Sequence, residues 1–287
     1  MANYSIIAED LTYWYGDLIA VDHINFHIAE GEILGFLGPN GAGKTTAWKM
    51  LTGQIKPKGG RATVLGRDIA RDAEKVQGEI GVCFEYTNLY EQMSASENLR
   101  LFARLFGISG FDDDALLRRV GLEGWGKRRV EEFSKGMKQR LMVARSLVNR
   151  PKILFLDEPT SGLDPVSSEA IRTIILEERE RGATVFLTTH DMMEADKLSD
   201  RVAFIDQGKI VALDTPHSLK QTYGKRALKA EVAADGGLEH LEIPLDSAET
   251  PDAVHDLFSQ KKVVTIHSEE ATLEDIFIQI TGRGLQA

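Results

Sequence analysis

The chain has 287 residues, of which 43% are hydrophobic and 27% are charged, and its formal net charge is -10. This length and apolar content allow one large folded domain and a smaller one, each with a buried core. The acidic balance disfavours a protein that binds nucleic acid through a basic surface, because such a surface must neutralise phosphates.

Nothing in the sequence points to secretion or to a membrane-spanning segment. The only cysteine, Cys83, excludes an intramolecular disulfide and lies in an apolar run, so we expect a buried thiol in a reducing compartment. The first ten residues, MANYSIIAED, lack the basic segment and apolar core of a signal peptide. No apolar stretch approaches the roughly 20 residues that a membrane-spanning helix needs. If the protein works at a membrane, we expect another chain to hold it there.

The first part of the chain predicts strands that lead into a glycine-rich loop. Alternating or continuous apolar residues predict strands at 4–8, 11–15, 20–29 and 33–37. The last of these strands runs directly into residues 38–45, GPNGAGKT. A helix is predicted at 45–52, closed by Gly53. This order of strand, glycine loop and helix is the context that a phosphate-binding loop requires.

The remaining chain predicts a helical segment, a second part of the sheet and a separate tail. The segment at about 87–150 has apolar residues at helical spacing, with helices expected at 96–106, 112–120 and 137–148. Strands are then predicted at 152–157, 184–189, 201–206 and 209–214, and helices at 166–181 and 191–198. The tail predicts strands at 227–233, 241–245 and 263–267, and helices at 251–260 and 272–280. We place a domain boundary near 220–226, which gives a larger domain at 1–222 and a smaller one at 223–287.

The loop at 38–45 matches the pattern G-x-x-x-x-G-K-[ST] in full. Its glycines let the backbone approach a phosphate without a Cβ in the way, and the amides can surround that phosphate. Lys44 supplies a positive charge for the β- and γ-phosphates, and the Thr45 hydroxyl is placed to ligate Mg²⁺. The sequence therefore predicts ATP and Mg²⁺ as ligands, with the nucleotide bound by Gly38, Asn40, Gly41, Gly43, Lys44, Thr45 and Thr46.

Two adjacent acidic residues lie at the end of the predicted strand at 152–157: Asp157 is its last residue and Glu158 follows it, in the sequence ILFLDE. The strand delivers the Asp157 carboxylate to the sheet edge that holds the glycine loop, where it can hold Mg²⁺. Glu158 has no apolar role and is placed to orient and deprotonate an attacking water. The alternative is a strand that ends in two solvated acids.

A third segment, FSKGMKQR at 133–140, precedes a predicted helix. It resembles the LSGGQ signature of ATP-binding cassette (ABC) proteins. Ser134 occupies the N-cap position and Gly136 exposes the first helical amides, so together they offer a second phosphate-binding surface. The resemblance implies a head-to-tail dimer in which each signature covers the ATP of the partner. The alternative is a capped surface helix.

Other residues match the same family. Residues 161–164, SGLD, resemble the D-loop, which crosses the dimer interface in that family, and His190 resembles the switch histidine that contacts the γ-phosphate. Tyr15 resembles the aromatic residue on which adenine stacks. A lone histidine at a strand end can also be structural. Three aromatic residues in a row leave the adenine position open, and strand alternation puts Tyr13 on the same face as Tyr15 and Trp14 on the other.

One residue departs from the family pattern. Glu85 follows the strand-like run IGVCF, where the family usually has glutamine. A carboxylate can still accept a hydrogen bond from a metal-bound water or approach Mg²⁺ directly, but it cannot donate while ionised. We therefore include Glu85 with Thr45 and Asp157 as a candidate metal ligand. The alternative is an inert surface residue.

The resemblance covers residues 1 to about 220 and implies the α/β fold of a phosphate-loop NTPase of the ABC type. That fold has a mixed sheet and a helical insert, followed here by a small α+β C-terminal domain. The tail segment 273–282, LEDIFIQITG, resembles the LEDVFLxLTG ending of drug-resistance-type exporter ATPases. We expect its apolar stripe to pack on the sheet of the tail.

The resemblance implies the ATPase subunit of an ABC exporter, with catalytic roles for Glu158, His190 and Lys44. It would work as a dimer, with a homodimer expected, and with separate integral membrane permease subunits. The protein would then be cytoplasmic and held at the inner face of the membrane by the permease, with no nucleic acid partner. One alternative is a soluble ABC ATPase that acts on a macromolecular assembly, although such proteins usually carry two cassettes or a long coiled-coil insert. A small-molecule kinase is a second alternative, but it would not need the signature or the D-loop.

Overall fold

The structure is a computed structural model, and it describes residues 3–224, 227–234, 237–245, 247, 249–269 and 271–284. These residues form two compact units, one that ends at Asp214 and one that begins at Thr215. The division precedes the boundary expected near 220–226, because a helix at Pro216–Tyr223 packs against the last helix of the chain. Residues 1–2 and 285–287, which belong to the two predicted domains, lie outside the described residues.

The first unit contains two sheets. Its strands are β1 (Tyr4–Tyr15), β2 (Leu18–Ala29), β3 (Ile33–Leu37), β4 (Gly59–Val64), β5 (Arg67–Asp68), β6 (Ile80–Cys83), β7 (Ile153–Asp157), β8 (Thr184–Thr189), β9 (Arg201–Asp206) and β10 (Lys209–Asp214). One sheet has the order β2-β1-β4-β5, and the other has the order β10-β9-β3-β8-β7-β6. In the second sheet β10 is antiparallel to β9 and the remaining pairs are parallel, so the sheet is mixed as expected.

The strand β1 corrects one prediction. Two strands were expected at 4–8 and 11–15, but the structure has one strand, Tyr4–Tyr15, with register shifts against β2. Asp10 lies between the two expected segments with a φ of 48°, so the backbone distorts there without leaving the sheet.

Buried side chains cover both faces of the six-stranded sheet. Alternate residues of one strand point to opposite faces, and β7 shows this with Ile153 and Phe155 in one apolar core and Leu154 and Leu156 in another. Every residue of β3, β7 and β8 is buried. The carboxyl ends of these three parallel strands lie at one edge of the sheet, and each leads into a loop there.

The helices of the first unit are α1 (Lys44–Leu51), α2 (Ile69–Gln77), α3 (Ala95–Leu105), α4 (Asp113–Arg119), α5 (Lys135–Ser146), α6 (Pro165–Glu180) and α7 (Met192–Leu198), with a 3₁₀ turn at Val130–Glu132. Three of them, α3 to α5, form the helical segment expected at about 87–150. Helix α6 begins as its sequence predicts, because Asp164 accepts a hydrogen bond from the Ser167 amide and Pro165 occupies the first helical position.

The second unit contains helix α8 (Pro216–Tyr223), strands β11 (Ala227–Ala234) and β12 (Gly237–Pro244), helix α9 (Thr250–Gln260), strand β13 (Lys262–Glu269) and helix α10 (Leu273–Thr281). The three strands form an antiparallel sheet of order β12-β11-β13. Leu273, Ile276 and Phe277 of α10 are buried, and α10 packs against α8. The apolar stripe of α10 was expected to pack on the sheet of the tail, but its partner includes helix α8, which was not predicted from the sequence. Among the described helices, none combines the length and apolar character needed to cross a bilayer.

Candidate active site

The glycine loop between β3 and α1 has a conformation that its glycines make possible. Gly43 has a φ of 112°, and a Cβ at this position would lie 2.4 Å from the carbonyl oxygen of Ala20. Gly43 is also the N-cap of α1 and supplies no side-chain hydrogen bond to the helix. The first amides of α1 are therefore left without a capping side chain, at the end of the helix that favours anions.

Lys44 is held inside this loop. Its side chain is 7% exposed, and Nζ donates hydrogen bonds to the carbonyl oxygens of Gly38 at 2.5 Å and Pro39 at 3.2 Å. Burial lowers the pKa of Lys44, while the charges of Glu158, Asp157 and Glu85 raise it. The loop thus holds the Lys44 ammonium group in place, and the acidic residues that act on it lie on other elements of the chain.

Asp157 is the last residue of β7 and is almost fully buried. Its Oδ1 accepts a hydrogen bond of 2.5 Å from Thr188 Oγ1 on the neighbouring strand β8. Burial raises the pKa of Asp157, and the charge of Glu158 acts in the same direction. Burial thus makes the Asp157 carboxyl group costly to ionise, and a nearby cation would favour its charged form.

Glu158 leaves the strand in the left-handed region, with a φ of 49°. Its amide donates to the carbonyl oxygen of Thr188 at 3.0 Å, which keeps the backbone on the sheet edge. The side chain is 9% exposed, and its Oε2 lies 2.8 Å from Nδ1 of His190. His190 directly follows β8, and about half of its side chain is exposed.

Tyr15 lies at the end of β1 and is 47% exposed. Its ring contacts the Tyr13 ring edge-on with centroids 4.9 Å apart, which agrees with the expectation that the two share a face. Lys58 Nζ lies 4.9 Å from the Tyr13 ring centroid and 5.2 Å from that of Trp14. Those two rings therefore already have a cation as partner, which supports Tyr15 as the ring available to a base.

One cavity of about 460 Å³ brings most of the predicted residues together. The predicted residues that line it are Tyr15, Asn40, Gly41, Gly43, Lys44, Thr45, Thr46, Glu85, Asp157, Glu158, Ser161 and His190, whereas Gly38 does not line it. Leu18, Ala20 and Pro39 also line it, and none of them was predicted as a site residue. The first two directly follow the turn after Tyr15, and this proximity in sequence is the signal that could have found them.

Glu85 is exposed at the wall of the same cavity rather than elsewhere on the surface. Burial raises its pKa, and the charges of Asp157 and Glu158 raise it further. This environment argues against an inert residue. Among the residues that the structure describes, no three His, Cys, Asp or Glu side chains are arranged as a preformed metal site.

The signature residues Ser134 and Gly136 do not line this cavity. Ser134 Oγ accepts a hydrogen bond from the Met137 amide at 3.3 Å and thus caps α5, as its position predicts. Gly136 packs on the start of α6, where a Cβ would lie 2.6 Å from Ser167 Oγ. Both residues are therefore placed apart from the loop of their own chain.

Comparison with known proteins gives consistent matches. Residues 21–161 match the family model described as ABC transporter. A fluoroquinolone export ATP-binding protein of Mycobacterium tuberculosis is 47% identical over 267 residues, which covers 93% of this chain and 89% of that protein. A daunorubicin resistance ATP-binding protein of Streptomyces coeruleorubidus is 35% identical, over 98% of this chain and 96% of that protein. A dimeric ATP-binding cassette solved with ADP and Pi is similar with a TM-score of 0.67 at 26% identity, over 73% of this chain and 98% of that one.

Proposed function

Because the chain belongs to the ABC transporter family, as an ATP-binding subunit of the exporter type, we propose that the cavity beside Lys44 is its site of ATP hydrolysis. One observation carries the proposal. The Glu158 carboxylate, paired with His190 at 2.8 Å, lines the same cavity as the phosphate-binding loop. A base and a phosphate cradle in one cavity are what attack by water on a phosphoryl group requires.

The loop and the first turn of α1 hold the phosphates of ATP. Lys44 Nζ exchanges its hydrogen bonds to the Gly38 and Pro39 carbonyls for hydrogen bonds to the β- and γ-phosphates. The phosphates are charged acceptors, so they stabilise the buried cation more strongly than neutral carbonyls do. The amides of the loop, between Gly41 and Thr46, donate to the same groups. The adenine ring stacks on Tyr15, whose half-exposed ring lines the same cavity.

The donor set at this edge fits Mg²⁺, which prefers hydroxyl, carboxylate and water oxygens. The Thr45 hydroxyl and the Asp157 carboxylate would hold the ion, with Glu85 beside them. When bound, Mg²⁺ neutralises charge on the phosphates. The pKa of Asp157 and that of Glu85 are both raised, chiefly by burial, and a nearby cation would favour the charged form of each carboxylate.

Glu158 acts on the water that attacks the γ-phosphorus. Its carboxylate accepts the proton of this water, the new bond forms at phosphorus, and the bond to the bridging oxygen of ADP breaks, which releases inorganic phosphate. His190 holds Glu158 through Nδ1, and in the protonated ring Nε2 would also carry a hydrogen to donate to the γ-phosphate. Lys44 balances charge that develops on the transferred group.

We assign the surface of Ser134 and Gly136 to the ATP of a second subunit. It lies outside the cavity of its own chain and presents a capped helix start, which is a site for an anion. A head-to-tail dimer, with a homodimer as the simplest case, would complete two ATP sites at once. Export would follow from coupling to separate permease subunits that place the protein at the inner face of the membrane. Two relatives that span nearly the whole chain are named as export or drug-resistance ATP-binding proteins, which favours this reading over a non-transport ABC ATPase.

The proposal is tested with Glu158→Gln, which keeps the shape of the side chain and removes the base. We expect phosphate release to fall by about a hundredfold or more, while ATP binding stays intact and ATP traps a dimer in size-exclusion chromatography. Glu180→Gln changes an exposed carboxylate at the last position of α6 and serves as the control. Normal turnover by Glu158→Gln would rule out the assigned base.

The composite site is tested separately with Ser134→Arg, which places a bulky side chain at the start of α5. The variant should bind ATP as a monomer and fail to form the ATP-bound dimer, even when combined with Glu158→Gln. Hydrolysis by Ser134→Arg at the wild-type rate would show that each site works without the signature of a partner.

A further inference from the structure

Glu194 is a buried acid to which the reaction proposed above gives no role. It lies on α7, four residues after His190, and only 2% of it is exposed. Thr160 Oγ1 lies 2.7 Å from both of its carboxylate oxygens, which share the one hydrogen that this hydroxyl donates. Thr160 is itself buried and lies two residues after Glu158. The Glu194 carboxylate thus joins two elements: the loop that carries Glu158, and helix α7, which follows His190.

The same carboxylate contacts two further elements. Thr189 Oγ1, in the residue before His190, lies 3.5 Å from Oε2, and Arg172 Nε of α6 lies 3.7 Å from Oε1. Thr189 Oγ1 also accepts a hydrogen bond from the Asp191 amide at 2.9 Å. Glu194 therefore lies where the loop after β7, the loop after β8 and helix α6 meet.

If position 194 only had to be filled by a packed side chain, a carboxylate would be a poor choice because its burial costs free energy of desolvation. Burial raises the pKa of Glu194, against the hydrogen bond from Thr160 and the charge of Arg172. An apolar side chain of similar volume would fill the space without this desolvation cost. A buried polar group that is hydrogen-bonded to its neighbours instead favours one arrangement of the elements that it joins.

We propose that Glu194 is a positioning residue for ATP hydrolysis, which holds the Glu158 loop and the His190 loop in one relative position through Thr160 and Thr189. The proposal rests on the function proposed above. Its consequence is that the 2.8 Å contact between Glu158 and His190 depends on a carboxylate that touches neither residue.

The decisive variant is Thr160→Val, which keeps the size of the side chain and removes the only hydrogen that Thr160 donates to Glu194. A displacement of about 1 Å at a reacting group can cost roughly a hundredfold in rate. We expect kcat for phosphate release to fall by about tenfold or more, while the Kd for ATP changes by less than about twofold, because the phosphate loop is not altered. Thr160→Ser retains the hydroxyl and should keep kcat within about twofold of wild type.

A matched control removes another buried threonine hydroxyl, at a position away from the two loops. Thr184 begins β8, at the end opposite His190, and its Oγ1 bonds to Ser5 Oγ at 2.7 Å and to the Gly31 amide at 3.0 Å. Thr184→Val should lower the midpoint of thermal unfolding without a change in kcat. A fall in kcat that occurs in Thr160→Val but not in Thr184→Val would therefore come from displaced catalytic residues and not from lower stability of the fold.

Glu194→Met provides a second test that does not depend on the folding of Thr160→Val. The methionine side chain has a similar volume and removes both carboxylate acceptors of Thr160, so kcat should again fall while ATP binding is retained. The double variant should be no slower than the slower single variant, because both changes break the same link. Wild-type kcat in either single variant, or an equal loss in Thr160→Ser and Thr160→Val, would overturn the proposal. A wild-type protein without ATPase activity would instead contradict the proposed function.

Discussion

Nδ1 of His190 lies 2.8 Å from Oε2 of Glu158, although the two residues follow different strands and are 32 positions apart in the sequence. An ionised carboxylate only accepts hydrogen bonds, so Nδ1 carries the hydrogen in this pair. The carboxylate is thereby held by the histidine before any substrate is present. The two side chains form one unit, and a change in either should affect the other.

The first prediction concerns this pair. His190→Ala should lower kcat by about a hundredfold and leave the Kd for ATP within about threefold, because Glu158 loses its orienting partner while the phosphate loop is unchanged. His217→Ala, which alters an exposed histidine of α8, is the control. Single-turnover phosphate release and equilibrium binding measure the two quantities.

A double variant sharpens this test. If Glu158 and His190 act as one unit, adding His190→Ala to Glu158→Gln should cost little more than the worse single change. Rate losses that multiply would show that the histidine acts independently of the base.

The second prediction concerns Lys44. Lys44→Ala should weaken ATP binding by about tenfold or more, because the cation is lost and the carbonyls of Gly38 and Pro39 lose their donor. Thermal unfolding gives an independent readout, since ATP should no longer raise the midpoint of the variant as it does for wild type. Lys56→Ala removes an exposed lysine as the control. ATP binding that is unchanged in Lys44→Ala would contradict the role of the loop.

The third prediction concerns Glu85. Burial and the charges of Asp157 and Glu158 raise the pKa of Glu85, so three carboxylates share a region that a divalent cation would stabilise. Glu85→Gln removes one negative charge, and we expect the Mg²⁺ concentration for half-maximal ATPase activity to rise about threefold or more. Glu123→Gln, which changes an exposed carboxylate outside the cavity, is the control. An unchanged Mg²⁺ requirement would assign Glu85 no part in metal binding.

Local patterns were sufficient to predict the central strands and the loops that follow them. The observed bounds of β3, β8, β9 and β10 agree with the prediction to the residue, because each is a buried or alternating run closed by a turn or an acid. Since parallel strands end at the same edge of a sheet, Lys44, Asp157 and His190 could be placed together from sequence order alone.

Contacts between distant residues could not be predicted in this way. The bond from Thr160 to Glu194 spans 34 positions, and neither residue belongs to a recognisable pattern, so only the folded chain brings them together. Helix α8 has a cap at Thr215 and a proline at its first position, but its assignment to the second unit depends on packing against α10. The strands β4 and β5 were also missed, because β4 begins with two glycines and pairs with distant β1, and β5 has only two residues.

The last prediction concerns the pH dependence of stability. The pKa of Asp157 is raised above its ordinary value of 3.8, chiefly by burial. A carboxyl group whose pKa is raised on folding adds stability below its pKa in the unfolded chain, and this stability is lost as the pH rises through the pKa of the folded state. The ionised Asp157 therefore destabilises the nucleotide-free protein at neutral pH.

Asparagine at this position should relieve the cost, because it stays neutral and its Oδ1 can still accept the hydrogen bond from Thr188. We expect Asp157→Asn to raise the midpoint of thermal unfolding at pH 7 without nucleotide, and to lose Mg²⁺-dependent hydrolysis. The gain in stability should shrink as the pH falls toward 3.8, because wild-type Asp157 then becomes protonated and neutral as well. Unfolding followed from pH 7 downward in both proteins measures this convergence. A gain that stays constant over the range, or a loss at pH 7, would show that ionisation of Asp157 does not oppose folding, and that its carboxylate is already stabilised before a cation arrives.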